Sequence, residues 1–326
     1  MDREGFRAFL EKRKLNEEQI TASSAIAESY EHYLLDSGGI PGSDSVWEFA
    51  RSLIQQGRNT YENLLALARY GRFIKNDDLY VGVVQLLDGA EAQLGLFKKV
   101  GETFSEKLRG QAFGGIGISP MGLPPIDKPF DMFPVIDRLT RQVGNDAVAQ
   151  LLSDCLRDLP GEFYPDEVEK FHQAVNIDAY LEAKHHVFVQ ELERCRQEGV
   201  LFFTQEVNDR VIDYVRDRPE IECGVREGNL VYITKIPYNT KQFLEESNPT
   251  LKRYYACHCP LAREAIKAGN ISLDPVFCNC SAGFSKKPWE IILGRPLKVE
   301  MLESAIKGDS RCRFAVHLPE DVLLNE

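Results

Sequence analysis

The chain has 326 residues, 43% of them hydrophobic and 10% aromatic, enough to build two or three packed domains without covalent staples. Its 39 basic and 50 acidic side chains leave a net charge of −11, and no basic run stands out in the C-terminal half, which speaks against nucleic acid and anionic membranes as partners. The N-terminus lacks the apolar core of a secretory signal and no apolar stretch approaches the ~20 residues of a membrane helix, so the chain reads as cytoplasmic.

In chain order, residues 1–107 read as helix after helix. Phe6, Phe9 and Leu10 mark one apolar face, 20–35 a second helix, and Val46, Phe49, Ala50, Leu53 and Ile54 a third. Asp44 or Ser45 is the expected cap of that third helix and Gly57 its end. A fourth helix runs over 60–73 and a fifth over 79–100. Residues 108–133 hold Gly114-Gly115-Ile116-Gly117 and then Pro124, Pro125 and Pro129, a density that breaks helix and strand alike and predicts an interdomain linker. The glycine run lacks the Lys-Ser/Thr ending of a phosphate loop.

Residues 134–200 return to helix, strongest over 177–198. His185 and His186 there point about 100 degrees apart, so they cannot chelate one ion together; one should pack and the other face water. From 201 to 326 the pattern is mixed: a helix near 207–215, two short strands around a Glu227-Gly228-Asn229 turn, and extended segments at 298–302 and 311–318. The expected fold is therefore α+β, an N-terminal all-helical bundle followed by a C-terminal domain of helices and antiparallel sheet.

Five of the eight cysteines crowd into this last region: Cys257-His258-Cys259-Pro260, Cys278-Asn279-Cys280, and Cys312. In a reducing compartment an even cysteine count does not imply disulfides, and clustered thiols favour metal or catalytic roles. Cys155, Cys195 and Cys223 stand alone and read as small buried hydrophobes. Both doublets sit before expected helices, with Cys259 at the N-cap ahead of Pro260, and Cys280-Ser281 ahead of a helix from about 282. A helix N-terminus favours thiolate over thiol.

Three readings stay open. In one, four or five of the sulfurs bind a metal, zinc by default because it suits thiolate ligands, or an iron–sulfur cluster, although Cys-X-Cys is tighter than zinc-knuckle spacing and matches no ferredoxin pattern. Alternatively Cys259 or Cys280 is a nucleophile assisted by His258 or Asp309. In the third reading the thiols simply pack. Lys252, Arg253, Arg263, Lys286 and Lys287 flank the doublets and could meet a carboxylate. Tyr254, Tyr255, Phe277, Phe284, Trp289 and Phe314 could line an apolar pocket for a small organic ligand.

Two stretches resemble known families. The first four helices, with Gly57-Arg58-Asn59-Thr60-Tyr61 leading into 67–73, resemble the SAM-like core-binding domain of tyrosine recombinases, but no recombinase Arg, His and Tyr set follows. An oligomerisation or packing module, with a homodimer left open, fits the acidic balance better than a DNA-associated regulator. The segment from Gly294 to Glu300, with Gly308-Asp309-Ser310-Arg311-Cys312-Arg313-Phe314, resembles the C-terminal signature of vinyl-reductase-type ligand-binding domains. In some members a cysteine eight residues before the last one helps bind zinc; here that position is Ser304. The Cys-X-Cys pair with the same ending is also similar to the L-2-amino-thiazoline-4-carboxylic acid hydrolase group. These resemblances imply a small-molecule-binding, sensory or accessory protein with a zinc-binding site, or alternatively a hydrolase of a small cyclic amidine or thiazoline.

Overall fold

Asp2, Asn16, Thr60 and Asn76 each accept a backbone N–H from the first turn that follows them, and so set the starts of four helices of the first unit. These are α1 (Arg3–Glu11), α2 (Glu17–Ser37), α4 (Tyr61–Phe73) and α5 (Asp77–Leu87), with α3 (Ser43–Gln55) between α2 and α4. Gly42, rather than Asp44 or Ser45, stands at the N-cap of α3. Ser45 instead lies one turn inside, and its hydroxyl accepts the Gly42 N–H at 3.1 Å. Gly57, with φ +65°, follows the end of α3 as expected. Phe6, Tyr30, Phe49, Leu67, Tyr70 and Val83 fill the shared core. Gly82 lets α5 close on α3, because a Cβ there would lie 2.6 Å from Ser43 Cα.

The computed structural model describes residues 1–89, 92–128, 132–154, 164, 166–269 and 273–323. The chain divides into two compact units, Met1–Gln93 with Gly117–Pro129, and Leu94–Ile116 with Phe130–Glu326. This redraws the expected boundaries. The helix expected over 79–100 is two, α5 and α6 (Ala92–Thr103), parted after Gly89 at φ +72°. The expected linker 108–133 is not one segment. Its start belongs to α7 (Glu106–Phe113), while 117–128 return to the first unit through Lys128, whose ammonium reaches the Gln85 carbonyl at 2.7 Å, and Arg51, paired with Asp127 at 2.6 Å. Residues 129–131 of that range lie outside the described residues.

In the second unit follow α8 (Met132–Val143), α9 (Asn145–Ser153), α10 (Glu167–Gln173), α11 (Ile177–Glu198), α12 (Asp209–Arg216), α13 (Thr240–Glu245), α14 (Pro249–Ala256), α15 (Pro260–Ala268), α16 (Asn279–Leu293) and α17 (Glu320–Leu323). Four strands, β1 (Val225–Glu227), β2 (Leu230–Thr234), β3 (Val299–Glu303) and β4 (Arg313–His317), form one antiparallel sheet in the order β1-β2-β4-β3. The fold is α+β, and all four strands fall where the sequence predicts extended chain. Gly228 at φ +61° turns β1 into β2. His185 packs, its Nε2 3.0 Å from the Val215 carbonyl, and His186 is exposed beside Gln190.

The helices expected as a separate segment over 134–200 do not stand apart. Met132, Val135, Ile136 and Leu139 of α8 and Val148, Leu151 and Leu152 of α9 are buried in one core with Leu261, Ile266, Phe277 and Phe314 of the cysteine region. Their apolar stripe is too broad for two short helices to cover by themselves. Among the described residues no helix is long and apolar enough to cross a membrane.

Candidate functional site

Each cysteine is delivered by the end of an element. Cys257 closes α14, its N–H donating to the Arg253 carbonyl at 3.0 Å. Cys259 is the N-cap of α15, and Pro260 takes the first helical position as expected, where its missing N–H costs no hydrogen bond. Cys278 ends a 3-10 turn, Pro275–Cys278, begun by the Asp274 side chain accepting the Val276 N–H at 2.8 Å. That turn runs directly into α16, so Cys278 is its N-cap and Cys280 lies inside its first turn. The helix thus begins three residues before the expected 282, because the 3-10 turn pre-forms its backbone. Neither Cys259 nor Cys278 makes a side-chain capping bond. Cys312 precedes β4, and its carbonyl accepts the Lys235 N–H at 2.9 Å.

These ends converge. Cys257 and Cys312 are buried in the same core as Leu261, Phe277, Ala282, Ala305 and Phe314, and Cys259, Cys278 and Cys280 pack against it. The two doublets, separated by the whole of α15, therefore border one apolar core, and Cys312 enters it from the sheet. Described cysteines carry no disulfide. Cys195 and Cys223 are buried elsewhere as single thiols, Cys223 with its thiol pushed up to about 12 by burial. Cys155 lies outside the described residues.

The thiols feel one another electrostatically. Burial pushes the Cys257 thiol well above its ordinary value, and Cys259, Cys312 and Cys278 add to the push. The Cys278 thiol is raised in the same way, by burial first, then by Cys312, Cys259 and Cys280. Burial also raises Cys312, against the pull of the Ala305 N–H and of the Lys235 ammonium. Left to themselves these sulfurs stay protonated; to ionise together they need a cation among them.

Polar neighbours pull the other way without undoing the effect of burial: the Cys259 main chain at Cys257, Ser304 at Cys278 and the Ala305 main chain at Cys312. The Cys257 thiol itself lies 4.0 Å from the Cys259 carbonyl, to which it donates. Among the described residues no three His, Cys, Asp or Glu side chains are disposed as ligands of one ion.

The candidate catalytic partners are engaged elsewhere. His258 Nε2 lies 2.5 Å from the Ile236 carbonyl, and its ring meets Tyr238 edge-on at 5.5 Å. Asp309 accepts the Ser304 N–H at 2.9 Å and returns its own N–H to the Ser304 carbonyl at 3.1 Å, which staples the turn between β3 and β4. Among the flanking cations, Lys252 lies over Phe243, Arg263 is buried over Tyr238 at 4.1 Å, and Lys286 is buried against Glu290. Arg253 reaches the Ala305 carbonyl at 3.5 Å. Trp289 belongs to a different core, with Phe171 and Tyr180, while Phe277 and Phe314 border the thiols. An open groove of about 590 Å³ along α11, lined by Glu182, His186, Glu193 and Arg216, shares no residue with the cysteine site.

Sequence reasoning missed Lys235, Ala305 and the part played by Ser304. Only Ser304 carried a signal, since it occupies the position where the resemblance would put a cysteine. Lys235 comes beside Cys312 at the end of the β2–β4 pairing and Ala305 lies in the turn after β3, placements which no local pattern records. Comparison with protein-family models, with curated proteins and with solved structures gives no match at a significant level.

Proposed function

We propose that the second unit is a small-molecule-binding module, sensory or accessory in role, organised around a thiolate metal site with zinc as its ion and an iron–sulfur cluster as the alternative. The observation that carries this reading is that both cysteine doublets and Cys312 border one apolar core although α15 separates the doublets in the chain.

We take Cys257, Cys259, Cys278 and Cys312 as the ligands, because Cys259, Cys312 and Cys278 are the sulfurs whose charge bears on Cys257; closing on one ion requires these side chains to turn from the arrangement seen here. Bound there, zinc would tie α14, α15, α16 and β4 together as a closed four-ligand structural site. His258 and Asp309, engaged with backbone, favour this structural role over hydrolysis.

The test is elemental analysis of the full-length protein purified under reducing conditions, alongside Cys257→Ser and Cys280→Ser. One equivalent of metal in the wild type, lost in C257S and kept in C280S, supports the assignment. A wild type that stays metal-free when zinc and iron are supplied defeats it.

A further inference from the structure

The C-terminal ends of α1 and α4 lie side by side, because Phe73 on α4 packs against Phe6 and Phe9 on α1 with ring centroids 5.2 and 5.5 Å apart. These two ends gather cations, Lys12, Arg13 and Lys14 on one and Arg69, Arg72 and Lys75 on the other, and Lys12, Arg13, Lys14 and Lys75 are exposed. Elsewhere in the first unit arginines pair with carboxylates, as Arg3 does with Glu28, Arg7 with Glu17 and Arg51 with Asp127; here only Arg72 has one, Asp77 at 3.3 Å. Among the described residues no carboxylate is paired with Lys12, Arg13, Lys14, Arg69 or Lys75. Arg13 instead lies 3.5 Å from the centre of the Phe9 ring. Burial lowers the Arg69 guanidinium against the pull of Tyr61, and the like charge of Arg13 lowers it further.

The two lysines that follow these helices stand in left-handed backbone, Lys14 at φ +60° and Lys75 at φ +53°. The next residue in each case returns its N–H five positions back, Leu15 to the Leu10 carbonyl at 3.4 Å and Asn76 to the Gly71 carbonyl at 2.9 Å. The chain ends α3 and α11 with the same closure, and there the left-handed residue is glycine, Gly57 and Gly199, each at φ +65°. Glycine takes this conformation freely and lysine does not, so the closure by itself does not account for lysine at both ends. A helix dipole favours a cation at its C-terminus, but it presents only about half an elementary charge there, against three basic residues on each end.

We propose that the paired ends of α1 and α4 dock a short acidic segment of a partner protein, its carboxylates reaching Lys12, Arg13, Lys14, Arg69 and Lys75. The chemistry of the partner follows from charge and size. Clustered cations without counter-charges recognise acidic motifs, and this cluster is confined to two helix ends of a chain whose net charge is −11. A long polyanion such as a duplex extends beyond the cluster over a chain that is acidic as a whole and is repelled; a short acidic segment ends within it. The surface belongs to the first unit and is independent of the function proposed for the second.

The experiment follows fluorescence anisotropy of an end-labelled peptide of about ten Glu and Asp residues with the full-length protein at about 0.1 M salt, where charges are screened over ~10 Å. The wild type should bind, and more weakly as salt rises. Lys14→Gly/Lys75→Gly should bind about 2–30-fold more weakly with a urea midpoint, read through Trp47 in a Trp289→Phe background, unchanged or higher, because glycine relieves the backbone. Lys14→Glu/Lys75→Glu should abolish binding. A wild type that binds no peptide, wild-type affinity in the Lys→Glu variant, or a labelled DNA duplex bound more tightly than the peptide each overturns the inference. A lowered midpoint in the Lys→Gly variant with unchanged affinity gives the lysines a role in the fold alone and overturns it as well.

Discussion

Lys286 offers the sharpest stability test in the second unit. Its side chain, in the middle of α16, is 4% exposed, and its ammonium lies 2.9 Å from Glu290 Oε1, 3.2 Å from the Leu297 carbonyl and 3.3 Å from Asp154 Oδ1. The same Glu290 oxygen accepts the Leu297 N–H at 3.0 Å, so this pair closes the connection from α16 into β3. Lys286→Met keeps the apolar stem and removes the charge, which strands a Glu290 carboxylate only 16% exposed. Breaking a buried pair from one side costs about 3–5 kcal/mol. The Asp154 contact adds at most ~1 kcal/mol, because that carboxylate is 47% exposed and water screens it. Lys286→Met/Glu290→Gln removes the stranded charge and should recover about 1–3 kcal/mol of the loss. The chain has two tryptophans, Trp47 in the first unit and Trp289 in the second. Urea unfolding followed by fluorescence in a Trp47→Phe background therefore reads the second unit through Trp289, which is buried on α16 three residues after Lys286. A single variant within about 1 kcal/mol of its parent, or a double variant no more stable than the single, would refute the reasoning.

Glu167 should give the second unit an acid-sensitive contribution. Burial alone would raise its carboxyl, but the Lys184 ammonium at 3.2 Å, the Tyr180 hydroxyl donating at 2.6 Å and Lys170 outweigh it, and the group sits below its ordinary value of 4.5. A lowered carboxyl stabilises the fold above 4.5 and loses that contribution as pH falls below it. Glu167→Gln should cost about 1.5–3 kcal/mol at neutral pH and flatten the fall in stability between pH 4.5 and lower values, read by urea midpoints across pH. In the first unit Gly82→Ala would set a methyl 2.6 Å from Ser43 Cα and push α5 off α3. The expected loss is about 1–3 kcal/mol, followed through Trp47, whose Nε1 donates to the Gly82 carbonyl at 3.1 Å, in a Trp289→Phe background. An unchanged midpoint there would mean that the two helices can part without penalty.

The α+β class, the first four helices and all four strands were legible in the amino-acid order, because apolar spacing, capping residues and the Gly228-Asn229 turn act over a few residues. So was the placement of Cys259 at a helix start, since Pro260 cannot donate an N–H. Domain limits were less legible. The Gly/Pro density of 108–133 marks broken chain, but only long-range packing decides that 117–128 return to the first unit while α7 joins the second.

The thiol cluster divides in the same way. Sequence by itself determined that five sulfurs lie in one C-terminal region and that two of them stand at helix starts, properties carried by residue type and local backbone preference. Only the tertiary structure decided that α14, α15, α16 and β4 bring those sulfurs to one apolar core, and that His258 and Asp309 turn to backbone partners. The reason is physical: a helix start follows from neighbours within one turn, whereas which side chains border one core depends on how distant elements bury their apolar faces against one another.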